Sequence, residues 1–292
     1  MSELPAYIAR LYPHRSHFAA TALGRMHYID EGAGRPVLLL HGNPTWSFLY
    51  RKVLAGLAGS PYRVVAPDLV GLGLSDKPRE LAAHTLRRHG ESVLELVQGL
   101  DLKDVVLVLQ DWGGPIGAWM AARAGGRVTG LVVMNTALLK PERFRTTAFH
   151  RFSHLPGVSD VAFRLFNFPL PVLGRTQGDP SSISGDVARA YAWPLRRVVD
   201  RAAPLAMARM VPNHPEHPTV AELTEGDAWA RSFSGPVELV WGVKDPILGR
   251  ALRRHRELFP RARVTETLAG HFLQEEVPEE IVAAIRRVAD AR

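Results

Sequence analysis

Short, mostly apolar runs alternate along the chain with longer stretches of helical periodicity. Pro36–Leu40, Tyr62–Pro67, Val105–Leu109 and Val128–Met134 carry few polar residues, as strands covered on both faces do. Between them, Trp46–Leu57, Thr85–Leu100 and Ile116–Ala124 repeat apolar positions at intervals of three and four, which predicts helices. Two further strand-like segments, Phe18–Thr21 and Arg25–Asp30, come first and are joined by a turn at Gly24. Repeated strand–helix–strand units predict an α/β fold, a mostly parallel sheet with helices on both faces.

The alternation stops after Asn135. From Thr136 to Ser234 the sequence holds helical pieces, no convincing strand, and ten prolines between Pro141 and Pro218. Proline at this density cuts long elements into short helices and turns. Strand-like segments resume at Val237–Trp241 and Ala262–Leu268, and Pro278–Ala291 closes the chain as a helix. The pattern divides the protein into a core of residues 1–135 and 235–292 and an inserted helical cap of residues 136–234.

Composition narrows the function classes. With 292 residues, 46% of them apolar and 22% charged, the chain can bury a large core. It has no apolar run of about 18 residues, so no membrane span is expected. Arg10, His14 and Arg15 interrupt the N-terminal segment where a secretion signal would be continuously apolar. The absence of cysteine rules out disulfides and thiol chemistry and suits a reducing compartment, so the cytoplasm is the expected location. A net charge of +7 raises the question of nucleic acid. The basic residues are scattered, however, and the densest cluster, Arg250–Arg263, reads as a helix face and turn interrupted by Glu257. Neither a nucleic acid nor a membrane is an expected partner.

The chemistry concentrates around Val105-Val-Leu-Val-Leu-Gln-Asp-Trp-Gly-Gly114. A buried strand running into a polar residue, two glycines and a helix has the layout of a nucleophile elbow, a sharp turn that exposes one side chain at the top of the sheet. The exposed position holds Asp111 where an esterase has serine. Alone, Asp111 could equally cap the following helix. As a nucleophile, a carboxylate needs no deprotonation and can displace a leaving group from an sp3 carbon, giving an ester that water must then cleave. Cleavage calls for a histidine held by a carboxylate. Asp245, after Val237–Trp241, and His271, after Ala262–Leu268, supply both in the order nucleophile, acid, histidine. Each follows a strand, where open α/β sheets place their ligand crevice.

Four segments together give the chain a resemblance to the haloalkane dehalogenases of the α/β-hydrolase superfamily. They are His41-Gly-Asn-Pro-Thr-Trp-Ser-Phe-Leu-Tyr-Arg51, Gly71-Leu-Gly-Leu-Ser-Asp-Lys-Pro78, Gln110-Asp-Trp-Gly-Gly114 and Gly270-His-Phe-Leu-Gln274. The resemblance implies a covalent alkyl-enzyme ester on Asp111, hydrolysed by His271 with Asp245. It implies that Asn43 and Trp112 bind the departing halide through their side chains and form the oxyanion hole through their backbone N–H groups. An indole N–H and an amide NH2 suit a monoanion in a water-poor pocket. Because Asn135-Thr136 follows Val128–Met134, where one subgroup of the family places a glutamate, the acid is expected at Asp245. The Asp-His-Asp set with an Asn-Trp pair resembles the third subgroup, some of whose members form large assemblies, and oligomeric state stays open. The implied partners are a small apolar halogenated substrate, water and halide, with no cofactor and no metal.

Phe149, Phe152, Phe163, Phe166, Phe168, Tyr191 and Trp193 are the candidates for lining the pocket from the cap. Epoxide hydrolases resemble the same pattern but protonate the epoxide oxygen with cap tyrosines, normally two, and this cap has one, Tyr191. Fluoroacetate dehalogenases surround the nucleophile with arginines, and none stands near Asp111 in sequence. A coelenterazine-type luciferase and a non-catalytic receptor on the same scaffold complete the alternatives. The latter class often lacks a catalytic residue that is present here.

Overall fold

The computed structural model describes residues 4–144 and 146–291. Its frame is one eight-stranded sheet. The strands are β1 (His17–Thr21), β2 (Gly24–Gly32), β3 (Arg35–Leu40), β4 (Tyr62–Pro67), β5 (Val105–Asp111), β6 (Val128–Thr136), β7 (Val237–Gly242) and β8 (Arg263–Thr267). Their order is β1-β2-β4-β3-β5-β6-β7-β8. The first hairpin is antiparallel, β2 also runs antiparallel to β4, and the remaining pairs are parallel.

The central strands are the ones the sequence marks as continuously apolar. Val37–Leu40, Val105–Leu109 and Leu131–Met134 have essentially no exposed surface, because helices cover both faces of the sheet. On one face Arg51–Leu57 packs with Pro278–Asp290, which also meets β5, β6 and β7. The latter helix starts with proline in its first turn and buries Ile281, Val282, Ile285 and Val288 along one stripe. On the other face lie Leu86–Gly99, Gly113–Arg123 and Thr219–Ser232. Leu86–Gly99 begins where the Thr85 hydroxyl accepts the Arg88 N–H. The expected helix at Trp46–Leu57 is a 3-10 turn, Ser47–Tyr50, running into Arg51–Leu57.

Between β6 and β7 the described residues contain helical elements and no strand, those before Pro218 being short, as the prolines predict, and the last, Thr219–Ser232, running 14 residues. This last helix packs against Gly113–Arg123 over the sheet. The others lie on the side where the parallel strands end. Hydrogen bonds tie them to the loops there: Gln177 bonds both backbone groups of Phe272, and Thr176 accepts the His271 N–H. Among the described residues, no helix is long and apolar enough to cross a membrane.

Candidate active site

Asp111 is the last residue of β5 and sits at φ 48°, a left-handed conformation that few non-glycine residues adopt. The turn is tight enough that a side chain on Gly113 would strike the Leu40 carbonyl, and one on Gly114 the Thr136 hydroxyl. Two glycines are therefore required for the helix Gly113–Arg123 to start directly beside the strand. The Thr136 hydroxyl donates to the Asp111 carbonyl at 2.5 Å and holds the turn from β6. The carboxylate is thereby lifted out of the sheet, next to the unpaired N–H groups of a helix start.

The loop after β3 supplies the facing wall. His41 is fully buried and donates from Nδ1 to the Gly42 carbonyl while Nε2 accepts the Leu69 N–H. Burial holds its pKa below the usual value, so it stays a neutral brace. The loop brings the Asn43 N–H to Asp111 Oδ1 at 2.7 Å. The Asn43 side chain donates one N–H to the Pro204 carbonyl at 2.9 Å, which leaves its second N–H free of that bond. Trp112, 7% exposed, follows Asp111, and its indole N–H meets no acceptor among the described residues.

His271 Nδ1 donates to Asp245 Oδ2 at 2.8 Å, and Nε2 lies 3.6 Å from Asp111 Oδ2. That second separation is too long for a hydrogen bond but short enough for strong electrostatic coupling. Burial alone would lower the His271 pKa, yet Asp245 and then Asp111 outweigh it and raise it to about 10. Asp245 is also buried, which would raise its pKa. His271, the Asn135 amide and the Ile247 N–H together hold it below the ordinary carboxylate value. The five residues expected at the site from the sequence thus lie together at the carboxyl ends of β3, β5, β7 and β8.

Sequence reasoning missed two supports. Asn135, at the end of β6 with φ 27°, donates to Asp245 Oδ2 at 2.7 Å and to the Gly242 carbonyl at 2.9 Å, and its oxygen accepts the Gly242 N–H. The sequence reading used this position only as the place where a carboxylate is missing. Gln177 and Thr176 clamp the His271 loop from the insertion, and nothing in their local sequence signals it.

A cavity of about 210 Å³ opens over these groups, lined by Asn43, Asp111, Trp112 and His271 and by apolar side chains including Phe149, Phe168, Val172 and Leu173. A second cavity of about 200 Å³ adjoins it, sharing Asp111, Trp112, His150 and Ile247. Of the aromatic candidates, Phe149 and Phe168 line the cavity. Phe152 and Phe163 pack behind them, and Phe166 is 70% exposed. Tyr191 is buried elsewhere, donating to Glu275, and Trp193 lines a different surface pocket. Arg175 borders the first cavity and Arg143 and Arg254 the second, so arginine is nearer the site in space than in sequence. Among the described residues none of them pairs with Asp111. No cluster of three metal-ligating side chains occurs among the described residues.

Comparison with known proteins matches residues 35–278 to the alpha/beta hydrolase fold family. A haloalkane dehalogenase of Mycobacterium marinum is 38% identical, the match covering 94% of this chain and 93% of that protein. The chain belongs to the haloalkane dehalogenase family. Haloalkane dehalogenase 2 of Mycobacterium tuberculosis is 34% identical over 94% of the chain and 95% of its own length. Family structures superpose closely. DatA from Agrobacterium tumefaciens gives a TM-score of 0.83 at 27% identity, covering 94% of this chain and 97% of that one. The tetrameric haloalkane dehalogenase DpaA from Paraglaciecola agarilytica gives 0.79 at 29%, covering 95% and 93%.

Proposed function

We propose that the protein hydrolyses haloalkanes to an alcohol and halide through an ester on Asp111. The observation that carries this reading is a carboxylate, presented by an elbow at the floor of a largely apolar cavity, with a carboxylate-held imidazole 3.6 Å away. Asp111 Oδ1 is held by the Asn43 N–H, so Oδ2 is the freer oxygen to attack the halogen-bearing carbon in line. The carbon–halogen bond breaks as the ester forms, and the free Asn43 N–H and the Trp112 indole N–H receive the halide.

The resting imidazole, with its pKa near 10, is protonated and cannot act as a base. Forming the ester removes the Asp111 charge, one of the two that hold that proton, and the His271 pKa falls. The ring gives up that proton to solvent, and neutral His271 then takes one from water at Nε2 while the water oxygen attacks the ester carbonyl. The developing oxyanion falls where the Asn43 backbone N–H already donates, with the Trp112 backbone N–H as its expected second donor. Collapse breaks the bond from the carbonyl carbon to the alkyl oxygen, which takes the remaining proton of the attacking water and leaves as the alcohol, restoring the carboxylate beside a protonated His271.

The cap in this reading consists of the elements of 136–234 that precede Thr219–Ser232, since that last helix packs with the core. The epoxide hydrolase alternative loses its proton donor, because the Tyr191 hydroxyl is committed to Glu275. We place the enzyme in the cytoplasm on its lack of cysteine, which cell fractionation would check. The deciding assay is halide and proton release from 1,2-dibromoethane, 1-bromobutane and 1-iodobutane, with styrene oxide alongside. Wild type releases halide and Asp111→Asn loses at least about 10⁴-fold of it, the order expected when a nucleophile is removed. Diol from styrene oxide without halide release from any substrate would replace this reading with the epoxide one.

A further inference from the structure

His150 is a polar group in the apolar wall that the mechanism above does not use. It lies in the short helix Ala148–Ser153 and lines both cavities where they meet, sharing that junction with Asp111, Trp112 and Ile247. The Thr147 hydroxyl oxygen accepts the His150 backbone N–H at 3.4 Å and lies 2.9 Å from Nδ1. The hydroxyl keeps its own proton to donate to Nδ1, and in that tautomer the ring proton is on Nε2. On the opposite edge of the ring, Nε2 has no protein partner among the described residues. Burial, with His154 and His271 adding to it and Asp111 opposing, lowers the ring pKa to about 4, so it is neutral at physiological pH.

We propose that His150 determines specificity by offering its Nε2–H inside the cavity to an acceptor oxygen on the substrate, favouring haloalkanes with an ether or hydroxyl oxygen a few bonds from the leaving halogen. The proposal rests on the dehalogenase reading and names the substrate class of that site. A wholly hydrocarbon chain leaves this donor facing methylene groups, with its hydrogen bond to water lost and none gained. An oxygen at the same place restores the bond, and an N–H left unpaired in a closed site is worth about a factor of ten or more. Asn43 and Trp112 do not duplicate the role, because in the mechanism above their side-chain donors take the halide.

The test compares two bromides of equal heavy-atom number, 1-bromobutane and 1-bromo-2-methoxyethane, which differ by one CH2 replaced by oxygen. Their intrinsic reactivities cancel when the ether-to-alkane ratio of kcat/KM is compared between wild type and variants. The ratio falls about tenfold in His150→Leu, mainly through KM, and His150→Gln, which keeps an N–H at similar reach, recovers most of it. Bromide release from 1-bromobutane certifies that the leucine variant is folded. If it releases none, His150→Phe carries the same comparison. An equal ratio in wild type and both variants, with bromide flowing, overturns the role of His150 alone. No bromide from either compound with wild type overturns the dehalogenase reading and this proposal with it.

Discussion

At and beneath the floor of the cavity Asp111, which lines it, and the buried Asn135 and Asp245 stand at or just beyond the carboxyl ends of parallel strands, whereas on its roof Phe149, His150 and Phe168 stand on short helices and the loops between them. Each of these residues is fixed by several buried or part-buried hydrogen bonds. Asp111 is held by Asn43 and Thr136, and Asp245 by His271, Asn135 and Ile247. The roof aromatics meet each other instead, with Phe149, Phe152, Phe163 and Phe168 in a cluster of ring centroids 5.3–6.1 Å apart. Hydrogen bonds have directions and fail when an atom moves, while apolar contacts re-form around a new shape. The difference teaches a division of labour in which the floor sets the reaction and the roof selects what enters it.

Removing the base is the most severe way to probe the floor. In His271→Ala the attack by Asp111 survives, since that step needs no base, and the second step stalls. We expect turnover to fall by roughly 10³–10⁴-fold, with one halide released per enzyme and a covalent alkyl adduct accumulating. Intact-protein mass spectrometry after incubation with 1-bromobutane reads the adduct directly. Finding unmodified enzyme, for a substrate that wild type turns over, would mean that Asp111 and His271 do not act in sequence.

Asn135 asks whether the floor depends on bonds one step removed from the chemistry. Asn135→Gly deletes the amide while tolerating φ 27°, where a larger apolar replacement would add strain. Asp245 then loses a donor to its ionised form, and burial drives its pKa up. Without the bond that fixes it, its carboxylate is also free to turn away from Nδ1, so its hold on His271 weakens and the His271 pKa falls below about 10. A raised folded-state histidine pKa stabilises the fold fully below the unfolded value of 6.5, and this contribution disappears as pH rises through about 10. In Asn135→Gly the loss begins at lower pH. We expect kcat to drop about tenfold to a hundredfold, as for a misplaced catalytic group, with KM changed little. Titration of the His271 ring by NMR separates this from simple destabilisation. An unchanged ring pKa with lowered kcat would leave Asn135 a packing residue.

What could be read from the sequence follows the same line between floor and roof. The strands at Val105–Leu109 and Val128–Met134 announce themselves because burial on both faces forbids polar residues. The elbow does so because Gly113 and Gly114 have no room for a side chain. Asp245 and His271 follow from strand ends, which are positions the fold itself supplies. Asn135 was as visible as they were, a polar residue ending a buried strand, but its meaning depends on Asp245 lying across from it in space. The roof gave no such handle. Phe149 and Phe166 look alike in sequence, yet one lines the cavity and the other is 70% exposed, because short proline-broken helices carry too few turns to establish a face. His150 and Gln177 stayed silent for that reason.

Phe168→Ala gives the smallest expected effect and tests the roof as a separable part. Phe168 lines the cavity and touches the Phe149, Phe152 and Phe163 rings, so truncating it enlarges the pocket without touching any group of the floor. Half-buried, it should cost about 1–3 kcal/mol of stability, less than a fully buried phenylalanine. This appears as a lowered melting temperature. Activity on 1,2-dibromoethane should change by no more than about fivefold, while the preference for 1-bromohexane over it rises. The reason is that added volume admits a longer chain, whereas the attacking oxygen, the halide donors and the base keep their places. A loss on both substrates as deep as that of Asn135→Gly would show that the aromatic cluster holds the floor in register. The two regions would then be one cooperative unit rather than a fixed catalytic base under an adjustable cover.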